Sequence, residues 1–115
     1  MKVIIAGGRD FDDYDMLYLR VDKILSRQTE IEIVSGAAKG ADKLGERYAE
    51  ERGYKLTRFI ADWNTFGKAA GYRRNIEMAT YADALIAFWN QESKGTEHMI
   101  TIAKKEGLLI RVITY

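Results

Sequence analysis

Five short apolar runs separated by amphipathic stretches constrain this chain more than any other feature. The runs are Lys2 to Ala6, Ile31 to Ser35, Tyr54 to Ile60, Asp83 to Phe88 and Leu108 to Thr114. The stretches between them carry helical spacing. Leu17, Val21, Ile24 and Leu25 share one face of a helix predicted from about Tyr14 to Arg27, with Asp12 or Asp13 as its cap. Ala41 to Arg52 predicts a second helix, with Gly53 suited to its left-handed end. Tyr72 to Tyr81 predicts a third, and Thr96 to Glu106 a fourth that ends at Gly107. Residues 61–71 show no clean period. Apolar strands alternating with helices argue for a parallel sheet covered on both faces. Right-handed crossovers restrict the topology. The expected fold is α/β, a single Rossmann-like three-layer domain. Its sheet is five-stranded and parallel, in order 3-2-1-4-5, with helices on both faces. The run from Tyr54 is polar at alternate positions, which places it towards an edge.

Composition enters as a set of exclusions. A chain of 115 residues has material for one core, so residues 1–115 are read as one domain. Eighteen basic residues against seventeen acidic leave a charge of +1, so bulk charge does not argue for nucleic acid or a membrane surface. There is no cysteine, hence no disulfide framework and no thiolate chemistry. With His98 the only histidine, a transition-metal site has no support. The acidic residues Asp10, Asp12, Asp13 and Asp15 fit helix-start chemistry better than a metal site. The longest apolar run near the N-terminus is Val3 to Ala6, far too short for a signal peptide or a membrane span. The expectation is a cytoplasmic chain with no membrane partner.

An open α/β sheet binds ligands beyond the carboxyl ends of its strands, where the strand order reverses. In the expected topology that point lies between the first and fourth strands. The segments leaving strands 1, 2 and 4 all carry glycine. After strand 1 comes Gly7-Gly8-Arg9-Asp10-Phe11, in which Arg9 offers a planar fork for phosphate or carboxylate, or pairs with Asp12 or Asp13. After strand 2 comes Ser35-Gly36-Ala37-Ala38-Lys39-Gly40-Ala41-Asp42. Its glycines permit close backbone approach, Ser35 adds a donor and Lys39 a charge, and the helix start suits a phosphate. Asp42 would repel a phosphate, cap the helix or hold a ribose hydroxyl. A tight strand-to-helix turn explains the same residues, and the spacing is neither a Walker A loop nor GxGxxG. After strand 4, Gly95 and Thr96 open a helix, with Thr96 a candidate N-cap whose geometry also suits a phosphate. In the aperiodic segment, Trp63 and Phe66 offer stacking faces and Lys68, Arg73 and Arg74 offer charge; a loop pinned by Trp63 against the core is the alternative.

The combination is more specific than its parts. GGRDF, SGAAKGAD, ADW before GKAAGYRRNIEM, ADALIAFW and KGT, in that order over nearly the whole chain, resemble the YspA-like family of the SLOG superfamily. That superfamily groups Rossmann-like proteins related to DprA (Smf) and to the Lonely Guy phosphoribohydrolases. The resemblance implies a nucleotide or nucleotide-derived ligand, no bound cofactor, and a homodimer as one form of assembly. It implies a ligand role for Gly7, Gly8, Arg9, Asp10, Ser35, Gly36, Lys39, Gly40, Asp42, Arg74, Asn75, Gly95 and Thr96, with Asp62 and Trp63 lining the pocket. Two departures stand out. The Lonely Guy motif PGGxGTxxE is replaced by Gln91-Glu92-Ser93-Lys94-Gly95-Thr96-Glu97-His98-Met99, so Met99 holds the glutamate position. Ile60 stands where YspA-like chains often have proline.

Three functions follow. The first is a nucleotide-binding module that senses or sequesters its ligand. The second is a hydrolase splitting a base–ribose bond, for which Asp10, Asp42, Glu77 and Glu97 are the available acids and no one of them is singled out. The third is DprA-like binding of single-stranded DNA, through charge and stacking around Trp63 and Phe66.

Overall fold

A computed structural model describes residues 1–115. Five strands, β1 (Lys2–Gly7), β2 (Glu32–Ser35), β3 (Lys55–Arg58), β4 (Ala84–Trp89) and β5 (Leu109–Thr114), form one sheet in order β3-β2-β1-β4-β5. Every pairing is parallel. The architecture is the expected one, and β3 stands at an edge.

Alternation along the strands sorts the core into two layers. Val3 and Ile5 face one side, with Ile33, Ile86 and Phe88, against α1 (Tyr14–Ile24) and α2 (Ala41–Arg52). Ile4 and Ala6 face the other, with Val34, Leu85 and Ala87, against α4 (Ala70–Tyr81) and α5 (Lys94–Lys105). Burying both faces explains why the central strands read as continuous apolar runs. Asp13 caps α1 by accepting from the Met16 N–H at 3.0 Å. Gly53 closes α2 in the left-handed conformation, as its position in the sequence predicts.

Two expectations need correction. Residues 61–71 are not irregular: α3 (Trp63–Phe66) and a 3-10 turn (Gly67–Ala69) lead directly into α4. Asp62 caps α3 through the Thr65 N–H at 3.1 Å. One helical turn followed by a tighter one is too short to register a 3.6-residue period. The cap of α5 is Ser93, not Thr96: the Ser93 Oγ accepts the Thr96 N–H at 3.3 Å, and α5 starts two residues earlier than the sequence suggested. No helix is long and apolar enough to cross a membrane.

Candidate functional site

The carboxyl ends of β1, β2 and β4 deliver their loops to one side of the sheet. The loops are tied together by backbone bonds. Gly8 N–H donates to the Phe88 carbonyl at 3.1 Å, and the Ala41 N–H donates to the Gly8 carbonyl at 3.2 Å. Gly40 makes the second contact sterically possible. It sits at φ +77°, and a Cβ there would stand 2.2 Å from the Gly8 carbonyl oxygen and 2.7 Å from Arg9 backbone. Helices α3 and α4 supply the opposite wall. The result is a crevice of about 470 Å³, within the size range of small-molecule sites.

Three cations reach this crevice: Arg9 from the β1 loop, Lys68 from the 3-10 turn and Arg74 from α4. None of the chain's ion pairs involves them. Arg74 is anchored without being neutralised. Its Nη1 donates to the Gly36 carbonyl at 2.7 Å and its Nε to the Asn75 Oδ1 at 3.3 Å. Burial lowers its pKa from the ordinary arginine value, against the pull of Asp42, with Arg9 adding to the lowering. Asn75 is itself buried, and its Nδ2 faces the Gly95 carbonyl at 3.3 Å and His98 Nδ1 at 3.1 Å. The donor Arg74 on one side and the acceptor Gly95 on the other fix the amide's orientation, so His98 Nδ1 accepts. Burial also lowers the His98 pKa, which keeps the ring in that neutral state.

Asp42 is the other unusual charge. It is 6% exposed, yet one carboxylate oxygen opens on the crevice. Its Oδ2 accepts the Ala38 N–H at 3.2 Å, while Oδ1 has no partner in the protein. Burial pushes its pKa from 3.8 up to about 6, opposed by the Ala38 bond and by Arg74. Asp10, at the mouth, is engaged by the Tyr115 hydroxyl at 2.6 Å.

A family model described as "YspA, cpYpsA-related SLOG family" matches residues 1–66, more than half of the chain. The chain belongs to that SLOG family. It is similar to the Gene 61 protein of Mycobacterium phage D29, 34% identical over 114 residues, covering 93% of this chain and 91% of the relative. Its fold is similar to that of DNA processing protein A (DprA) from Streptococcus pneumoniae, with a TM-score of 0.76 at 21% identity. That match covers 96% of this chain and 49% of DprA, so the chain spans about half the length of that structure.

Within this SLOG domain, Gly7, Gly8, Arg9, Asp10, Asp42, Trp63, Arg74, Asn75, Gly95 and Thr96 line the crevice together. Five other residues singled out from the sequence do not line it. Ser35 is fully buried behind the wall, donating to Glu46 at 2.7 Å and accepting the Ala37 N–H at 3.0 Å. Gly36 acts through its carbonyl on Arg74, and Gly40 locks two loops. Lys39 is exposed outside the crevice, and Asp62 is spent on the α3 cap. Lining residues not singled out as pocket positions include Lys68, Gly71, Tyr72, Ser93 and Met99. Gly71 gave no readable signal, because the helical pattern in the sequence starts at Tyr72 and Gly71 falls in the aperiodic stretch before it. Met99, the position of the Lonely Guy glutamate, is buried apolar surface here.

The Asp42 environment makes a stability prediction. Its folded-state pKa lies above the unfolded value, so the protonated fold is favoured. The associated stability is full below about pH 4 and is lost as pH rises through about 6. Asp42→Asn is expected to stabilise the unliganded protein at pH 7 by about 3 kcal/mol, with the gain vanishing near pH 4. Urea denaturation at both pH values measures it. Equal stability of the two proteins at pH 7 would remove Asp42 as a strained, functionally retained charge.

Proposed function

We propose that this SLOG domain binds a nucleotide or nucleotide-derived ligand in the crevice. The observation that carries the reading is the convergence of Arg9, Lys68 and Arg74, none of them in an ion pair, with glycine backbone and a half-exposed Trp63 around one cavity. Cations left without partners suit an anionic ligand. Backbone at Gly7, Gly8 and Gly95 lets phosphate oxygens come close, Arg9 and Arg74 balance their charge, and Trp63 packs near the base. Asp42 Oδ1, open on the crevice, accepts a ribose hydroxyl.

The test is a thermal-shift screen against AMP, ADP-ribose, NAD and cyclic di-GMP. A ligand at about a hundredfold its Kd stabilises by about 2.7 kcal/mol. For a domain of this size that raises the midpoint by roughly 10 °C. A flat response across the panel rejects the reading.

Asp42 also favours a second reading, hydrolysis of the base–ribose bond. A carboxyl near pH 6 on the cavity surface is suited to proton transfer near neutrality. Release of free base by purified protein, abolished in Asp42→Asn, supports turnover; intact ligand after prolonged incubation rejects it. The third reading, single-stranded DNA, is supported by the fold shared with DprA and by Arg73 over the Phe66 ring at 3.9 Å, both exposed. It predicts salt-sensitive retention of an oligonucleotide.

A further inference from the structure

Gly71 is out of place in α4. The residue lies in the regular part of the helix, in its first turn, with no positive φ to require glycine. A Cβ there would meet Trp63 Cη2 at 3.4 Å, Arg74 Nη2 at 3.7 Å and Trp63 Cζ2 at 4.0 Å, all ordinary contacts. Alanine would therefore fit, and it is the better helix former. The fold supplies no reason for glycine at this position. The crevice supplies one: Gly71, Trp63 and Arg74 all line it, and a side chain at 71 would project between the indole and the guanidinium.

The two groups flanking this gap are both available to a ligand. Trp63 is 50% exposed and follows a cap that fixes the start of its short helix. Arg74 uses Nη1 and Nε on Gly36 and Asn75, leaving Nη2, the atom nearest Gly71, without a protein partner. The gap thus has an aromatic wall and a cationic N–H donor at its inner end. A planar heteroaromatic ring with acceptor atoms on its edge matches both features.

We infer that the slot over Gly71, between Trp63 and Arg74, is the seat of the ligand's base, and that the missing side chain at 71 holds it open. This deepens the nucleotide reading and rests on it. The base stacks on the Trp63 indole, and one N–H of Arg74 Nη2 donates to it at the inner end of the slot, while the second N–H and the charge of the guanidinium still face the phosphate. The phosphoribosyl part then lies towards Arg9 and the β1 loop. Gly71 determines specificity by shape: it sets how large a ring system enters.

The experiment compares wild type, Gly71→Ala and Gly71→Leu by calorimetric titration with two probes. One is the tightest binder among AMP, ADP-ribose, NAD and cyclic di-GMP; the other is ribose 5-phosphate, which has no base. Gly71→Ala is expected to raise the melting midpoint by a few degrees, about 3–5 °C, showing that the helix does not need glycine. Gly71→Leu is expected to weaken the nucleotide by about tenfold to a hundredfold, the range of base–aromatic stacking, while ribose 5-phosphate is unaffected. Equal losses for both probes overturn the assignment of the slot to the base, as does nucleotide binding untouched by leucine. A fall in the midpoint of Gly71→Ala overturns the claim that the fold is indifferent to this position. If wild type binds no nucleotide of the panel, the nucleotide reading fails and takes the slot with it. If it binds and leucine changes nothing, only the slot fails.

Discussion

Replacing Gly40 with alanine is expected to lower the melting midpoint by roughly 12–20 °C, from a stability loss of about 3–5 kcal/mol. Two penalties combine. Gly40 has φ +77° and ψ −128°, a region that L-residues with a side chain essentially never occupy. The added methyl would also stand 2.2 Å from the Gly8 carbonyl oxygen and 2.7 Å from Arg9 backbone, where no flexible side chain can yield. Relief requires moving the β1 loop away from α2, which breaks the Ala41–Gly8 hydrogen bond. The same movement separates the two glycine loops that build one side of the crevice. Ligand binding should therefore be lost together with stability. Gly53→Ala serves as the comparison: it also has positive φ, but a Cβ there meets nothing within 4 Å. Its cost should be about 1 kcal/mol, from backbone strain alone. Thermal denaturation of both variants separates the conformational term from the collision. Equal midpoints in the two would show that the loops yield readily.

Arg74→Ala is expected to cost about a hundredfold in affinity for the nucleotide of the screen, or about 2.7 kcal/mol. Arg74 is the cation that the fold holds in place without neutralising it, so its charge remains available to an anion. The loss should be greater than for Arg9→Ala, because Arg9 is exposed and its side chain must be ordered on binding. Arg74→Lys keeps the charge but replaces three separate nitrogens, which reach Gly36, Asn75 and the crevice in one plane, by a single ammonium nitrogen that cannot span them. Its affinity should fall between wild type and alanine. Removing Arg74 also takes away a charge that lowers the Asp42 pKa, so that carboxyl should titrate at higher pH in the variant. Affinity measured by titration, and the Asp42 pKa followed by NMR, check the two effects separately. Unchanged affinity in Arg74→Ala would locate the anion elsewhere in the crevice.

Much of this protein is visible in the order of its residues, because its strands are buried on both faces. A strand such as Val3-Ile4-Ile5-Ala6 has no solvent side, so it reads as apolar throughout. Helices that bury one face, such as α1 through Leu17 and Val21, betray themselves by spacing. Where that physics weakens, so does the reading. The stretch from Trp63 to Ala69 buries no residue, so it carries no apolar stripe, and its two short turns looked irregular. The α5 cap was misplaced for a different reason. Ser93 and Thr96 are both good cap residues three positions apart, and local chemistry alone does not choose between them. Asn90 chooses: its Oδ1 accepts the N–H groups of Glu92 and Ser93, each at 2.9 Å, and turns the chain into the helix at Ser93.

The candidate site divides along the same line. Motif order and strand alternation determined the fold, the sheet edge where the loops meet and the family, because each is a property of residues close together in the chain. Which side chains face the crevice was decided by contacts between one element and another. Ser35 and Arg74 looked equivalent as polar residues in loop and helix. Packing against α2 turned Ser35 inward to Glu46, and the Gly36 carbonyl held Arg74 at the opening. Asp42 takes its Ala38 bond from its own loop, but a charge that opposes the rise in its pKa arrived only when α4 brought Arg74 near it. Gly71 acquired a meaning only when α3 laid Trp63 across it. The contacts of Arg74 with Gly36 and Asp42 join residues far apart in sequence, and those of Ser35 with Glu46 and of Gly71 with Trp63 cross from one element to the next. No local period of residues encodes either kind.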